Sequence, residues 1–366
     1  MRLFDPFSYY NIHLLIVTVF SVIYYFSISR MGANSLLNRK TKGIEVFLYL
    51  IFFTVVVGLR PVSPAFGDTV NYAQTYYALK QISFVPEVSS DPLFHFFMWW
   101  CSQRMEVEWF FLIIEVLYII PVAWACKRLL GNNADIAILF CFAAFSFFSY
   151  GVNGIRNGAA CSLVVLAMAF LQGGKIEKLL FLLLSLVAFY THASTALPIL
   201  CLIAARFIKA PYIMFSFWII AIIMSLLGGD FITNIFANLG FDERLSDYIS
   251  DDADESVFSR TGFRWDFLLY SAVPILLGYI VIFVKKVYDP TYLLLLGTYI
   301  YANAFWIMVI RAAYSNRFAY LSWFLYPIGL CYPLLKLEIW PKSQGQKTGI
   351  IMLGHLAFTL IMAFLF

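Results

Sequence analysis

Charged residues are scarce in this sequence. Asp, Glu, Lys and Arg make up 13% of its 366 residues, whereas hydrophobic residues make up 62%. A soluble domain contains about 25% charged residues, so the composition excludes a soluble protein and predicts an all-α polytopic integral membrane protein. The net charge of +4 is small and dispersed along the chain. This argues against a nucleic-acid partner and leaves membrane lipids as the expected surroundings.

Cysteine and histidine are also few, and no nucleotide-binding motif occurs. The six cysteines lie in apolar stretches without CxxC spacing, so we expect buried packing residues rather than disulfides or a metal site. Without a Walker A motif, the chain is not by itself an ATP-driven pump. Asp252-Ala253-Asp254 matches a DxD metal-binding pattern, but the acidic run 251–255 is better interpreted as a solvated loop. We therefore expect no metal and no other cofactor.

Apolar runs of about 20 residues recur along the chain and predict membrane-spanning helices. Ten of them are 11–29, 44–59, 107–126, 134–150, 153–171, 212–228, 266–284, 291–310, 318–335 and 349–366. The stretch 179–206 is too long for one straight span and has His192 near its centre. Two short passes that meet at His192 keep the lysine clusters on one side, whereas one kinked pass moves the last clusters to the other side. We predict two passes, which gives about twelve spans in a single transmembrane domain, 1–366, with both termini outside.

This arrangement leaves two large loops on the outer side of the membrane. The first is 59–106, in which the apolar run Leu93–Trp100 is too short to span and is expected to form a helix along the outer interface. The second is 229–265, which contains the acidic run. The inner loops are short, so no soluble cytoplasmic domain is expected.

Arginine and lysine are sorted between the two sides. Most of the twelve lysines fall on one side, which the positive-inside rule makes cytoplasmic. Ten basic residues fall on the outer side, and nine of them are arginines: Arg2, Arg60, Arg104, Arg156, Arg244, Arg260, Arg264, Arg311 and Arg317, with Lys80 as the exception. Arginine makes planar, paired hydrogen bonds to phosphate. The sorting therefore predicts an anionic, phosphate-bearing ligand on the outer side.

Two groups of polar residues stand at predicted outer span ends in the first half of the chain. Arg60 follows Gly58-Leu59, and Gly67-Asp68 and then Tyr72 come after it. Asn153-Gly154-Ile155-Arg156-Asn157 opens a span rich in small residues, where backbone can approach closely and a helix N-terminus favours anions. Arg60 is either a helix-end anchor or a phosphate ligand, and Arg156 is expected to bind an anion.

Two further groups follow. His192 and Ser194 lie in the bend at the centre of 179–206, where irregular backbone at membrane depth is typical of a buried or cavity-lining segment. Arg311 and Arg317 lie six residues apart, which is about 240° around one continuous helix. The two side chains therefore share a site only if the helix breaks near Ser315.

Taken in order, these motifs resemble the EpsG-like and Wzy-type polysaccharide polymerases. The shared elements are Gly58-Leu59-Arg60, Gly67-Asp68 and Tyr72, the helix start from Asn153 to Ala159, the bend with His192 and Ser194, and Arg317 before the aromatic run Phe318-Ala319-Tyr320. The resemblance covers residues 40–335. Asn157 stands where many members carry glutamine, and the acidic element usually found after the first motif has two candidates, Glu87 and Asp91.

The resemblance implies a GT-C-like architecture and a membrane glycosyltransferase of O-antigen, lipopolysaccharide or exopolysaccharide biosynthesis in the bacterial inner membrane. Such an enzyme moves a growing glycan from undecaprenyl diphosphate to the non-reducing end of another undecaprenyl-diphosphate-linked repeat unit, at an active site that faces the periplasm. Its partners are the lipid-linked oligosaccharide donor and acceptor. Chain-length regulators accompany many members, and the sequence leaves open whether one binds here.

These implied roles fall on particular residues. A base must remove the proton of the acceptor hydroxyl, and the candidates are His192 first and Asp68 second. Fixed cations stabilise the diphosphate leaving group, and the candidates are Arg60, Arg156, Arg311 and Arg317. Supporting roles are expected for Tyr72, Asn153, Asn157, Ser194 and Arg264.

Three other functions compete with polymerisation. A lipid-linked oligosaccharide flippase also needs arginines that face phosphate, but its basic residues should lie inside several spans. An O-antigen ligase differs from a polymerase only in its acceptor. A membrane O-acyltransferase would use His192, but its acyl donor arrives from the cytoplasmic side, which leaves the outer arginines unexplained.

Overall fold

The computed structural model describes residues 4–40, 43–84, 90–238, 263–311 and 315–365, and the regular secondary structure in these ranges is helical. The α-helices are Ser8–Ile28 (α1), Ala33–Leu37 (α2), Ile44–Gly58 (α3), Thr69–Lys80 (α4), Pro92–Ser102 (α5), Val107–Leu130 (α6), Ala134–Phe142 (α7), Phe147–Val152 (α8), Ile155–Phe170 (α9), Lys175–Thr191 (α10), Ala196–Phe207 (α11), Pro211–Asn238 (α12), Trp265–Tyr279 (α13), Pro290–Met308 (α14), Asn316–Trp323 (α15), Tyr326–Lys336 (α16) and Gln344–Leu365 (α17). Short 3₁₀ turns lie at Pro64–Phe66, Gly131–Asn133 and Ala193–Thr195, and a π-helical turn at Ile280–Val284 follows α13.

The predicted fold class, an all-α polytopic membrane protein, is confirmed. Within the described ranges, seven segments are long and apolar enough to cross a membrane: Ser8–Ile28, Val107–Phe142, Pro211–Gly228, Trp265–Val284, Pro290–Met308, Asn316–Lys336 and Gln344–Phe364. Shorter apolar helices lie at Ile44–Gly58, Ile155–Phe170 and Ala193–Phe207. The number of twelve spans, the GT-C-like architecture and the membrane sidedness of the loops stay predictions.

Several predicted spans have different boundaries in the structure. The stretch 179–206 is two helices, because His192 adopts extended backbone (φ −154°, ψ 110°) and ends α10. The predicted span 134–150 is also two helices, α7 and α8, which are interrupted at 143–146. The predicted loop 229–265 begins as helix, because α12 continues beyond a kink at Gly228. The acidic run and Arg244 and Arg260 lie outside the described residues, as does Arg2.

The chain divides into two compact units, Met1–Thr195 with Cys331–Phe366 (unit 1) and Ala196–Leu330 (unit 2). In unit 1, α6 packs against α3 and α9, α9 packs against α10, and α1 packs against α17. Small residues permit the close packing of α9, where Gly158, Ala159 and Ala160 are all buried. An apolar core joins α4, α5, α6 and the start of α9, and Tyr76 and Phe110 are fully buried in it.

Unit 1 has two chemically different ends. One end, called the loop end here, consists of α4 and α5 with the last residues of α3 and α10 and the first residues of α6 and α9. At the opposite end, called the basic end, Arg39 donates two hydrogen bonds of 2.9 and 2.6 Å to buried Asp135, and Arg128 pairs with Glu177. Lysines at the end of α6, the start of α10 and the end of α16 belong to the basic end. Most lysines of unit 1 therefore lie at the basic end, where Arg39 and Arg128 also lie, and Lys80 of α4 is the exception at the loop end.

Unit 2 is built around α14, which is buried along most of its length and packs against α11, α12 and α15. Several buried polar groups within it are paired. Asn303 accepts from the indole of Trp218 at 2.9 Å and donates to Ser322 at 3.1 Å, and Trp323 donates to Ser271 at 2.8 Å. Each pair satisfies groups that would otherwise destabilise an apolar interior.

Candidate functional site

The start of α5 places an acidic side chain inside unit 1. Asp91 precedes Pro92, the first residue of the helix, and has left-handed backbone angles (φ 53°, ψ 47°). Asp and Asn adopt this conformation more readily than other non-glycine residues, and the residue before a proline avoids the α-helical region. The turn directs the side chain inward, where Asp91 is only 4% exposed.

The Asp91 carboxylate joins three segments that are distant in sequence. Its Oδ2 lies 2.8 Å from a terminal nitrogen of Arg156 and 3.2 Å from Nδ1 of His192. Its Oδ1 accepts a hydrogen bond of 2.7 Å from the backbone N–H of Ala193. An ionised carboxylate only accepts hydrogen bonds, so Nδ1 of His192 carries the proton. The start of α5, the start of α9 and the end of α10 therefore meet at Asp91.

The surroundings of Asp91 favour its ionised form. Burial by itself raises the pKa of this carboxyl, but the hydrogen bond and charge of His192, the charge of Arg156 and the amide of Ala193 outweigh burial and lower the pKa to about 2. Hydrogen bonds to a charged group are stronger than neutral ones. At neutral pH, Asp91 is thus a fixed anion that holds both the imidazole and the guanidinium.

Arg156 keeps hydrogen-bonding capacity beyond its pair with Asp91. Its side chain is 13% exposed, and its Nε is buried without a hydrogen-bond partner among the described residues. The guanidinium lies 5.8 Å from the ring centre of Phe94, and Tyr72 meets the same ring edge-on at 5.9 Å. Arg156 is the second residue of α9, where helix N–H groups favour an anion.

The Gly67-Asp68 motif is attached to the helix start that carries Arg156. The backbone N–H of Asp68 donates to Oδ1 of Asn153 at 2.7 Å, and the hydroxyl of Thr69 donates to the carbonyl of Val152 at 2.7 Å. Gly67 has φ 57°, and a Cβ there would lie 2.4 Å from Oδ1 of Asn153. Glycine is therefore required both by the positive φ and by the lack of room for a Cβ beside Asn153. The structure brings the first two sequence motifs together.

The predicted base Asp68 is half-buried, and its carboxylate accepts a hydrogen bond of 3.1 Å from the side chain of Asn71. Asn157 accepts a hydrogen bond of 3.0 Å from the thiol of Cys161 within α9. Ser194 is half-buried in the 3₁₀ turn that follows His192. In that turn the hydroxyl of Thr195 donates to the carbonyl of His192 at 2.8 Å.

Arg60 does not have the geometry of a diphosphate ligand. Its side chain is 0% exposed, and it donates to the carbonyls of Val57 and Val152 at 2.9 and 3.3 Å and to the hydroxyl of Thr69 at 3.3 Å. Burial lowers the pKa of Arg60 to about 10 although Glu115 opposes the shift, so the guanidinium is charged at neutral pH. Because these donors are engaged inside unit 1, the structure favours the helix-end anchor among the two predicted alternatives, and the ligand role stays a prediction.

Three predicted arginines belong to unit 2. Arg264 donates two hydrogen bonds of 2.9 and 2.6 Å to Asp266 and lies 3.8 Å from the ring centre of Phe267. Arg311 is exposed beyond the end of α14, and Arg317 is exposed in the first turn of α15. The helix α14 ends at Met308, before Arg311, and α15 begins at Asn316, so the two arginines do not lie on one continuous helix. This is the condition under which the sequence allowed them to share a site.

Two acidic residues of unit 1, Asp91 and Glu115, were not assigned roles from the sequence. Asp91 was one of two candidates for the acidic element, and the other, Glu87, lies outside the described residues. A proline directly after an acidic residue is a signal for a helix start, which marks Asp91. Glu115 is buried in α6 and is 1% exposed. A carboxylate inside a predicted span was its only signal in the sequence.

Comparison with known proteins agrees with the resemblance. Residues 44–366 match the EpsG family, and this range contains Asp91, Arg156 and His192. No curated protein and no solved structure matches the chain. The family is associated with glycosyltransferases of the polysaccharide-polymerase type, and the match covers most of the sequence. The chain therefore belongs to the EpsG family.

Proposed function

We propose that this protein polymerises a glycan carried on undecaprenyl diphosphate. It transfers the growing chain to the non-reducing end of the next lipid-linked repeat unit, at the periplasmic face of the bacterial inner membrane. The observation that carries the proposal is the cluster of Asp91, Arg156 and His192 at the loop end of unit 1. It combines a base, the anion that orients the base, and a cation suited to a phosphate.

In the proposed reaction, Nε2 of His192 removes the proton of an acceptor hydroxyl, because Nδ1 is held by Asp91. The hydroxyl oxygen forms a bond to the anomeric carbon of the donor sugar. The bond from that carbon to the diphosphate oxygen breaks, and the electron pair stays on undecaprenyl diphosphate. Asp91 stabilises the imidazolium that results, and its buried position strengthens this interaction.

Arg156 is the proposed cation for the leaving group. Negative charge grows on the diphosphate as the sugar–phosphate bond breaks, and a fixed guanidinium at the start of α9 stabilises that charge more strongly in the transition state than in the ground state. Arg311 and Arg317 belong to unit 2 and are exposed, and their role in diphosphate binding stays a prediction from the sequence. Asp68 is the alternative base. One of its carboxylate oxygens accepts the hydrogen bond from Asn71, and the other would accept the proton of the acceptor hydroxyl.

Deletion of the gene in its native host tests the proposal by gel analysis of surface glycan. If the host carries lipopolysaccharide, we expect cells with a single repeat unit on lipid A core, because transport and ligation survive while extension is lost. Cells without any added glycan would favour a flippase or ligase instead. Full-length polymer that accumulates on undecaprenyl diphosphate would identify a ligase, and an unchanged ladder would contradict the proposal.

A further inference from the structure

The helix α5 exposes an apolar face although it is too short to cross a membrane. It is 11 residues long, whereas a spanning helix needs about 20. One side of α5, which includes Phe94, is buried in the core that this helix shares with α4 and α6. Leu93, Phe96 and Trp100 are exposed. Because these three residues recur at intervals of three and four, they form a single outward face of the helix.

The neighbouring helix α4 exposes a face of different chemistry. It packs against α5 and is of similar length, 12 residues. Its exposed residues are Asn71, Gln74, Thr75, Tyr77, Ala78 and Lys80. Most of these side chains form hydrogen bonds with water, and Tyr77 carries a hydroxyl on its ring. The outward face of α4 is therefore suited to water, whereas the outward face of α5 is not.

The apolar face of α5 lies beside another exposed apolar surface, on α10. The two helices pack against each other. Ser185 and Ala188 are the buried residues of α10, and its last turns expose Leu186, Val187 and Phe189. In an integral membrane protein, an exposed helix surface of this composition contacts lipid. The surface that contacts lipid on α10 therefore continues onto α5.

The end of α5 has the residues that are typical of a membrane–water interface. The guanidinium carbon of Arg104 lies 4.5 Å from the ring centre of Trp100, and Arg104 donates a hydrogen bond of 3.0 Å to the Trp100 carbonyl. Tryptophan and basic residues gather at this interface, because the ring contacts acyl chains while the charge reaches water. A helix of this kind lies in the plane of the membrane, with its apolar face about 5–10 Å into the boundary between headgroups and acyl chains.

We propose that the exposed face of α5 inserts into the lipid leaflet at the loop end and thereby holds Asp91, Arg156 and His192 at the depth of the lipid phosphates. Asp91 directly precedes α5, and its carboxylate contacts both Arg156 and His192, so all three depend on the depth of this helix. A lipid-linked diphosphate then meets Arg156 while its prenyl chain stays in the bilayer. This consequence rests on the function proposed above, whereas the position of α5 does not.

Nitroxide labels on single added cysteines test the position of α5. The full-length protein is reconstituted into vesicles of phosphatidylethanolamine and phosphatidylglycerol, and its six natural cysteines are buried. Phe96→Cys and Trp100→Cys report on α5. Tyr77→Cys on α4 is the matched control, because Phe96 and Tyr77 are aromatic residues of the loop end that are 44% and 46% exposed.

The measurement compares collisions of each label with oxygen, which concentrates in lipid, and with a nickel chelate, which stays in water. We expect oxygen collisions to dominate at positions 96 and 100 and nickel collisions to dominate at position 77. Dominant nickel collisions on α5 would place its face in water and overturn the proposal. Few collisions with either reagent would show that a second copy or another protein covers the face, which would also overturn it. If Phe96→Cys does not fold, Trp100→Cys decides.

Phe96→Glu tests the consequence for the substrate, with Tyr77→Glu as its control. An ionised side chain is strongly disfavoured among acyl chains, so KM for undecaprenyl-linked repeat units should rise at least about 10-fold in Phe96→Glu and less than about 3-fold in Tyr77→Glu. KM for a water-soluble substrate with a short prenyl chain should change less than about 3-fold in both variants.

An equal rise of KM for the long and the short substrate would overturn the role of α5 in substrate access, because membrane depth is irrelevant to a soluble substrate. If Phe96→Glu does not fold, Phe96→Ser replaces it, and the same difference between the two substrates is expected. If the natural protein extends neither substrate, the proposed function fails, and the collision measurement still decides the position of α5.

Discussion

One carboxylate defines the candidate site at the scale of residues. Asp91 accepts from Arg156, His192 and the amide of Ala193, and these groups lie 65 to 102 positions away in the sequence. Because its oxygens are shared, Asp91 sets the orientation of both the proposed base and the proposed cation. A substitution of Asp91 should therefore impair both the proposed base and the proposed cation.

Asp91→Asn should lower the rate of chain extension by about 10²-fold, within the range that general-base catalysis contributes. The amide cannot balance the charge of Arg156 or stabilise a protonated His192. The rate is measured with purified lipid-linked repeat units, whose extended products are resolved on a gel. Glu106→Gln is the control, because this carboxylate lies at the same end but is exposed and pairs with Lys80. Equal rates for both variants would remove Asp91 from the mechanism.

The pH dependence of stability provides a second prediction for Asp91. Its pKa is lowered from the usual 3.8 to about 2 in the folded protein, with burial opposed by His192, Arg156 and the Ala193 amide. A lowered pKa means that the stabilisation is complete above pH 4 and is lost as the pH falls towards 2. The unfolding temperatures of the natural protein and Asp91→Asn should differ at pH 6 and approach each other below pH 3. A constant difference across this range would contradict the assigned pKa.

At the scale of elements, the site depends on how helices begin and end. α10 ends at His192, α5 begins after Asp91, and α9 begins beside the Gly67-Asp68 turn. Helix ends leave backbone N–H and C=O groups unpaired, and here side chains from neighbouring segments pair with several of them. The helix ends therefore fix where the functional side chains point.

Gly67→Ala should destabilise unit 1 more than Gly131→Ala does. Both glycines have similar positive φ, 57° and 56°, so both variants acquire backbone strain of about 1–3 kcal/mol. A Cβ at Gly67 also meets Oδ1 of Asn153 at 2.4 Å, whereas a Cβ at Gly131 has no atom within 4 Å. Thermal unfolding of the two variants in the same detergent measures the difference. Equal decreases in the unfolding temperature of the two variants would show that the Asn153 contact is unimportant for stability.

At the scale of the whole molecule, charge decides which way the chain is inserted. Most lysines of unit 1 lie at the basic end, with Lys80 as the exception, whereas Arg60 and Arg156 lie at the loop end. The positive-inside rule predicts that the basic end lies in the cytoplasm. The loop end, with Asp91, is then predicted to face the periplasm, where the proposed lipid-linked substrates are joined.

Single added cysteines test this orientation. Ser83→Cys lies after α4 at the loop end and Gln172→Cys after α9 at the basic end, and both positions are exposed. The six natural cysteines are buried, so their background labelling should be low. A membrane-impermeant thiol reagent applied to spheroplasts should label Ser83→Cys at once and Gln172→Cys only after the membrane is opened. The reverse order would place the proposed site in the cytoplasm and contradict the proposed function.

The sequence by itself determined the class of the protein and much of its chemistry. Long apolar runs require helices in a membrane, because backbone groups in lipid must pair within the segment. The break at His192 and the positions of Arg156 and the Gly67-Asp68 motif were also readable, because turns and helix starts have local residue preferences. The family followed from the order of these motifs and is confirmed.

Only the tertiary structure decided which of these residues meet. It paired Asp91 with His192 and Arg156, and it buried Arg60 with its donors on backbone carbonyls. Residue type and spacing are the same for an arginine that binds phosphate and for one that ties two helix ends together. The difference lies in burial and in contacts between segments far apart in the chain, and helix packing sets both of these.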